Sequence, residues 1–399
     1  MSKIKVFNDP IYGLISFPFE LIYELIDHRY FQRLRRISQV GLSSLVYPGA
    51  THTRFHHALG VTHLCSELIR NLIVKGVEIT DEEYEATCAA ALLHDIGHGP
   101  FSHALEHMIL PIHHEKITIM MMQLLNSELD NRLSLAIEIF EDRYPKKFLH
   151  QILSSQLDVD RMDYLSRDSY YSGVAEGVIG YDRIVKMMNV HQNNLVIEEK
   201  GLYSVDKFFM SRHLMYRQVY LHKTAVGAES MLVAFFKEFR KTINNKNIQH
   251  ELIKNLLAQE NNITKNTIDE FANLDDHDIY SILKTQINSK NFICRYMAEG
   301  ILNRRLLRTF FSKEQISSDF IESIRLKAEK LLGINSESAA QTICVGMDSH
   351  KIYDTDQPIH ILSKSGNIKP YSSLMEINSK SRSSQIHFIS YPKEIDIYS

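Results

Sequence analysis

Arg54, His57, Val61, Leu64 and Leu68 recur at three- and four-residue steps, the spacing that puts side chains on one face of a helix. That face is apolar except at its start, so an arginine and an imidazole enter the interior together. A lone histidine in such a place is ordinarily a core residue bonded to a carbonyl. The next helical stretch, however, ends in Ala89-Ala90-Ala91-Leu92-Leu93-His94-Asp95-Ile96-Gly97-His98-Gly99-Pro100-Phe101-Ser102-His103. Small alanines permit close helix packing, so His94-Asp95 sits at the end of a buried helix. The pair supplies one imidazole nitrogen and one carboxylate oxygen, a mixed set suited to Zn, Fe, Mn, Ni or Mg. Gly97 and Gly99 let the backbone turn tightly toward a ligand, which brings His98 and His103 near the same point.

Two further strings could complete such a site. His113-His114-Glu115 places a histidine beside a carboxylate that could orient it for general acid work. Taken alone, the triplet is an ordinary solvated helix start. Asp160, Tyr164 and Asp168 fall at i, i+4 and i+8, one face of a helix. Alone, that face reads as solvated and charge-laced. With His57, His94 and Asp95 short of a fourth ligand, Asp160 becomes the candidate.

The elements that must position these residues are mostly helical. Lys5 to Gly13 reads as an extended segment ending in a turn. The period from residue 18 to about 190 is helical, with short helices expected at 19–26 and 31–40 and a long one at 54–75. Gly76 stops the long helix, and the Thr80-Asp81-Glu82-Glu83 capping box starts the next. Apolar runs flanking Lys200-Gly201 suggest a β-hairpin over 195–205. Helices resume at 206–242 and continue to about 332. From Ser336 the composition shifts to Ser, Asn and Gly around strand-like runs at 342–345 and 386–391. The expectation is a mainly α chain in three parts. A helical core spans 1–190, a helical continuation that completes the pocket spans 191–335, and a small α+β C-terminal appendage spans 336–399.

Composition narrows the function classes. The chain has 399 residues, 44% hydrophobic and 23% charged, the mix of a globular protein. No apolar run reaches the length of about 18 that a membrane span needs, and no apolar segment follows the first five residues, so neither insertion nor secretion is expected. Cys65, Cys88, Cys294 and Cys344 form no CxxC pair and read as buried thiols of a reducing cytoplasm. The net charge of −3 argues against a generally basic nucleic-acid surface. Twenty histidines are an excess that suggests acid–base or metal chemistry.

The series His57…His94-Asp95…Asp160 resembles the metal-binding signature of the HD-domain phosphohydrolases. The fuller strings are similar to one branch, the deoxynucleoside triphosphate (dNTP) triphosphohydrolases, which includes bacterial dGTPase-like enzymes and the core of the vertebrate SAM-and-HD-domain dNTPase. They are Lys5-Val6-Phe7-Asn8-Asp9-Pro10, Phe31-Gln32-Arg33-Leu34-Arg35, Pro48-Gly49-Ala50, Arg54-Phe55-His56-His57, the run from His94 to His103, and Asp158-Val159-Asp160-Arg161. The likeness covers roughly residues 5 to 225. HD alone is a weak signal; this ordered series is specific.

The resemblance implies an HD-domain helical core in which His57, His94, Asp95 and Asp160 hold one divalent metal ion. It places Arg54, Arg161 and Arg212 on a triphosphate, and Gln39, Tyr164 and Asp168 on the sugar. Tyr220 then packs near sugar and base. His98, His103 and His114 contact phosphate or move protons, with Glu115 supporting His114. Lys5, Asp27, Gln32, Arg33 and Arg35 match positions that hold an activating guanine nucleotide, with Mg, between subunits of a homo-oligomeric dimer or tetramer. Leu221 stands where the vertebrate enzyme has glutamine, so base preference does not carry over. A triphosphate pocket needs fixed cations, which arginine supplies bidentately. The expected reaction is hydrolysis of a dGTP-like dNTP to deoxynucleoside and triphosphate. The alternatives are another HD phosphohydrolase acting on a different nucleotide, and a nucleotide sensor without turnover.

Overall fold

The chain begins with an antiparallel hairpin, β1 (Phe7–Asp9) and β2 (Gly13–Ile15), whose turn is held by Asp9. Its Oδ1 accepts from the backbone N–H groups of Ile11 and Tyr12 at 2.8 and 3.1 Å. The computed structural model describes residues 5–242, 251–259, 263–350, 353–374 and 384–397. The side chains of His103, His350 and Ser384 lie outside that description.

Next come α1 (Glu20–Asp27) and α2 (Arg29–Gln32). The helix expected over 31–40 does not form as one piece. The backbone tightens into a 3₁₀ turn at Arg33–Arg36 and is extended by Ile37. Two tertiary contacts end the helix. Arg33 turns inward onto a backbone carbonyl, and the Ser38 N–H is taken at 2.8 Å by Asp276 instead of by a helical carbonyl. Ser38 then bridges Thr53.

Helix α3 (Arg54–Val74) matches its expected span to within a residue, and Gly76 beyond it adopts φ +87°. That left-handed angle is one glycine takes without strain. Helix α4 (Asp81–Leu93) starts at the Thr80 capping box, in which Glu83 N–H donates to Thr80 Oγ1 and Thr80 N–H to Glu83 Oε2. Ala89, Ala90 and Ala91 are fully buried, and α3 packs along α4. After α5 (Ser102–Leu105), α6 (His114–Glu128), α7 (Ser134–Phe140) and α8 (Lys147–Leu153), helix α9 (Val159–Ser172) lies against the other side of α3. The two approach closely at Gly60, where a Cβ would come within 1.9 Å of Asp163 Oδ1.

The hairpin falls earlier than expected. Behind α10 (Tyr181–Met187), β3 (Met188–His191) pairs with β4 (Asn194–Glu198). Gln192 and Asn193 take φ of +46° and +65°, the twist that a two-residue hairpin turn prefers. Lys200-Gly201 instead belongs to a short 3₁₀ turn that leads into α11 (Leu202–Met215). Gly201 is needed there for room: a Cβ would stand 2.8 Å from both Ile197 and Met187 side chains. Apolar runs mark the strands but cannot tell a turn glycine from a packing one.

A single π-helical turn, Tyr216–Tyr220, joins α11 to α12 (Lys223–Thr242). Then follow α13 (Glu251–Leu257), α14 (Lys265–Phe271), α15 (Asp276–Gln286), α16 (Phe292–Leu302), β5 (Arg308–Ser312), α17 (Ser318–Leu332) and α18 (Ser336–Gln341). The tail supplies β6 (Cys344–His350), β7 (His360–Leu362), β8 (Ile368–Pro370) and β9 (Ser384–Tyr391). These strands are shared with earlier parts of the chain. β7 pairs in parallel with β4, and β9 lies between β5 and β6. The fold is mainly α, with one large apolar core running through the helices and a smaller one under the β5–β9–β6 sheet.

Candidate metal centre

Helix α3 brings Arg54 and His57 to one point, the end of α4 brings His94 and Asp95, and the first turn of α9 brings Asp160. His57, His94 and Asp160 offer ligand atoms that all lie within 4.8 Å of one another. The imidazoles are aimed from behind. His57 Nδ1 is 2.7 Å from Asp163 Oδ2, and His94 Nδ1 is 2.8 Å from the carbonyl of Ala91. A carbonyl or carboxylate oxygen only accepts, so each Nδ1 carries the proton and each Nε2 presents a lone pair. Both Nε2 atoms are sealed from solvent without a hydrogen bond of proper geometry. Asp160 Oδ1 faces them at 3.0 Å from His57 and 3.7 Å from His94. Two orphaned nitrogens aimed at a shared carboxylate fit a divalent ion.

Asp95 sits at the rim of that triad. Its Oδ1 is 3.4 Å from His94 Nε2 and 3.2 Å from His98 Nε2, while its Oδ2 pairs with Arg54. Burial alone would raise the carboxyl, but His94, His98 and Arg54 hold it well below the usual range. Burial alone would likewise lower His57. The Asp163 hydrogen bond and the nearby Asp160 and Asp163 carboxylates outweigh it and push the imidazole up to about 10, so an incoming cation must displace a proton from Nε2 before that lone pair is free.

Asp163 was not among the expected site residues. It anchors a buried chain in which Arg167 donates to it through Nε and Nη2, both at 2.9 Å, and to Asp9 through Nη1 at 2.8 Å. The opening hairpin thereby steadies the imidazole of His57. An Asp–Arg pair at i, i+4 is readable in sequence as a salt bridge, though its third partner is not.

Next to the triad, the rings of His98 and His114 stack at 3.8 Å with planes 19° apart. His98 Nδ1 is 2.7 Å from Ser102 Oγ. The carboxylate on His114 is Glu106, not Glu115. Glu106 Oε1 is 2.6 Å from His114 Nδ1 and accepts its backbone N–H at 3.2 Å, whereas Glu115 is exposed in the first turn of α6. Neighbours on a helix diverge by about 100°, so Glu115 points away from the ring that precedes it. Burial opposes the ionised Glu106, but its bonds and charge pairing with His114 pull it to about 2. His103 lies in α5, with its side chain outside the described residues.

Gly97 sets the distance between the His94–His98 turn and α6. A Cβ there would stand 2.3 Å from both His114 O and Thr118 N, backbone atoms that cannot rotate away. Gly97→Ala is expected to push α6 outward and cost about 1–3 kcal/mol, the scale of overpacking. Thermal unfolding checks this, and an unchanged midpoint would contradict the tight seating of α6.

The other expected residues surround the centre. Arg54 is buried, with Nε unbonded, and it borders a small cavity with Gln39, whose Oε1 is buried without a partner. Arg161 Nη1 donates to the Ser155 carbonyl at 2.6 Å and pairs with Asp158. The charges of Arg212 and Arg161 both act on the half-buried Tyr164. Asp168 is engaged on both oxygens, by His52 Nε2 at 2.7 Å and by the Tyr220 hydroxyl at 2.6 Å. It is a clamp between two walls, and His52 was not foreseen.

The N-terminal group divides. Lys5 pairs with Asp27, and Gln32 accepts from Arg35 Nε at 3.0 Å while Arg35 lies over the Phe55 ring. Arg33 does not join them. It is 1% exposed and donates twice to the His98 carbonyl, at 2.8 and 2.7 Å, so it cannot meet a nucleotide at a subunit surface. A basic run shows charge, not which of its members turns inward.

The HD-domain family matches residues 54–168, and the HD associated region matches residues 179–352. A solved phosphohydrolase from Bacteroides thetaiotaomicron is 41% identical, with a TM-score of 0.93 over 98% of this chain and 100% of that one. The uncharacterized protein YwfO of Bacillus subtilis is 31% identical over 99% of this chain and 94% of its own length. The deoxynucleoside triphosphate triphosphohydrolase SAMHD1 homolog of Dictyostelium discoideum is 35% identical over 59% of this chain, which spans 49% of that relative. Likeness to the solved phosphohydrolase thus covers nearly the whole chain, and the HD match begins at Arg54 and ends at Asp168, the stretch that builds the triad. This chain belongs to the HD-domain phosphohydrolase family and has dNTP triphosphohydrolases among its relatives.

Proposed function

We propose that the protein is a metal-dependent dNTP triphosphohydrolase, releasing deoxynucleoside and intact triphosphate. The observation that carries this reading is the pair of unbonded Nε2 atoms on His57 and His94, facing Asp160 beside the stacked His98–His114 rings. His57, His94 and Asp160, with Asp95 at the rim, would hold a divalent ion, which when bound would supply Lewis-acid chemistry toward water and phosphate. Arg54, Arg161 and Arg212 neutralise the triphosphate. His114, with its Nδ1 proton held by Glu106, keeps Nε2 for proton exchange with an oxygen of the substrate, and His98 is stacked to hold that ring in place. Gln39 and Tyr164 line the sugar side, with Tyr220 positioned by Asp168. The dNTP triphosphohydrolase relatives support the substrate class.

A screen of the four dNTPs and GTP, singly and in pairs, with Mn and with Mg, tests the reading. Tripolyphosphate with deoxynucleoside is the expected product pair. Orthophosphate or a nucleoside monophosphate would indicate a different phosphohydrolase, and no product at all would indicate a sensor.

Regulation by a guanine nucleotide with Mg between subunits of a homo-oligomer is part of the proposal. Lys5 with Asp27, and Gln32 with Arg35, form two polar pairs, in which a carboxylate can accept from guanine N–H groups and cations can meet phosphate. Arg33 would act only from beneath, through His98. GTP or dGTP is expected to raise the wild-type rate, and Asp27→Ala to abolish that response. A wild-type rate indifferent to both nucleotides contradicts it. No helix among the described residues is long and apolar enough to cross a membrane, and the buried free thiols of Cys65, Cys88 and Cys294 suit work in the cytoplasm.

A further inference from the structure

A second cluster of metal-ligating side chains lies outside the HD triad. Glu106, His107 and His113 offer one ligand atom each, and the three lie within 4.8 Å of one another. His113 Nδ1 is 3.4 Å from Glu106 Oε1. The His107 and His113 rings meet edge to face, with centroids 4.4 Å apart. His107 adopts φ +60°, a left-handed backbone rarely used by a residue with a side chain. Both histidines are exposed, whereas in the triad His57 is buried and His94 and Asp160 are partly buried.

We propose that Glu106, His107 and His113 form a second site, for a borderline transition ion such as Zn²⁺, whose occupation withdraws Glu106 from His114. Two imidazoles and one carboxylate are a known ligand set for zinc, leaving a fourth position for water. Bonds of about 2.0–2.1 Å place tetrahedral ligands about 3.3 Å apart. The cluster reaches that spacing by turning two solvent-exposed rings, with no core to repack. The coupling arises because one oxygen serves two partners: Glu106 Oε1 is 2.6 Å from His114 Nδ1. Coordination of that carboxylate draws its charge toward the ion and loosens the orientation of His114. The ion count is independent of the proposed hydrolysis; the slowing of turnover rests on it.

The test uses the full chain stripped of metal, reloaded with Zn²⁺ and passed through a desalting column, beside His107→Ala/His113→Ala treated alike. Both substitutions are at exposed positions outside the hydrolytic machinery. Wild type is expected to retain two ions per chain and the double variant one, with His94→Ala keeping the ion that the double variant loses. Equal zinc content in wild type and double variant overturns the site. Imidazole ¹⁵N signals read the coupling without substrate. A second equivalent of Zn²⁺ should move the His114 resonances in wild type and not in the double variant, and an unmoved His114 overturns the coupling. In Mn-supported turnover, Zn²⁺ should slow wild type at least tenfold more than the double variant, and equal slowing counts against the brake. If no nucleotide is hydrolysed under any condition, the hydrolytic reading fails while the ion count and the His114 signals still decide this one.

Discussion

His94→Ala and Asp160→Ala are each expected to purify folded, to lack the ion at the HD centre and to lose nucleotide hydrolysis. His94 closes α4, where its ring caps the Ala91 carbonyl and its Nε2 is otherwise unbonded. Removing it costs one modest hydrogen bond, about 0.5–1.5 kcal/mol, which the core around α3 and α4 absorbs. Asp160 is partly exposed, and its Oδ1 is directed at the two imidazoles. Losing it removes the only carboxylate of the triad, so affinity should fall more than stability. Metal analysis, thermal unfolding and product assays together decide the matter. Wild-type metal content in both variants would refute the assignment, even if activity were lost.

A second large effect separates two neighbouring carboxylates. His114→Ala should keep the HD-centre ion and slow turnover at saturating substrate by about 10²–10⁴-fold, the scale of general acid–base catalysis. Glu106→Gln should also lower kcat, because an amide cannot anchor the Nδ1 proton as a carboxylate does. Glu115→Gln should leave kcat within about twofold, since substitution at an exposed position away from the site is usually near neutral. A kcat lowered by Glu115→Gln and spared by Glu106→Gln would reverse the pairing seen here. Unchanged turnover in His114→Ala would remove that histidine from the mechanism.

Much of this was readable in the chain itself. The span of α3, the Thr80 capping box and the placing of His94-Asp95 at a buried helix end follow from period, capping and alanine content. Those are local properties, decided within a few residues of each position. The ordered strings alone carry the resemblance to the HD-domain phosphohydrolases. Which groups meet was decided by the tertiary structure. Asp163 behind His57, His52 on Asp168, Glu106 on His114 and Arg33 beneath His98 join residues from 8 to 116 positions apart. A side chain's type announces that it can donate or accept, but its partner depends on how helices cross. At Gly60 and Gly97 the missing Cβ admits a neighbour to within hydrogen-bond reach. The early end of α2 and the shifted hairpin have the same origin. Tertiary contacts claimed the Ser38 N–H and packed Gly201, outweighing the small local preferences that periodicity reads.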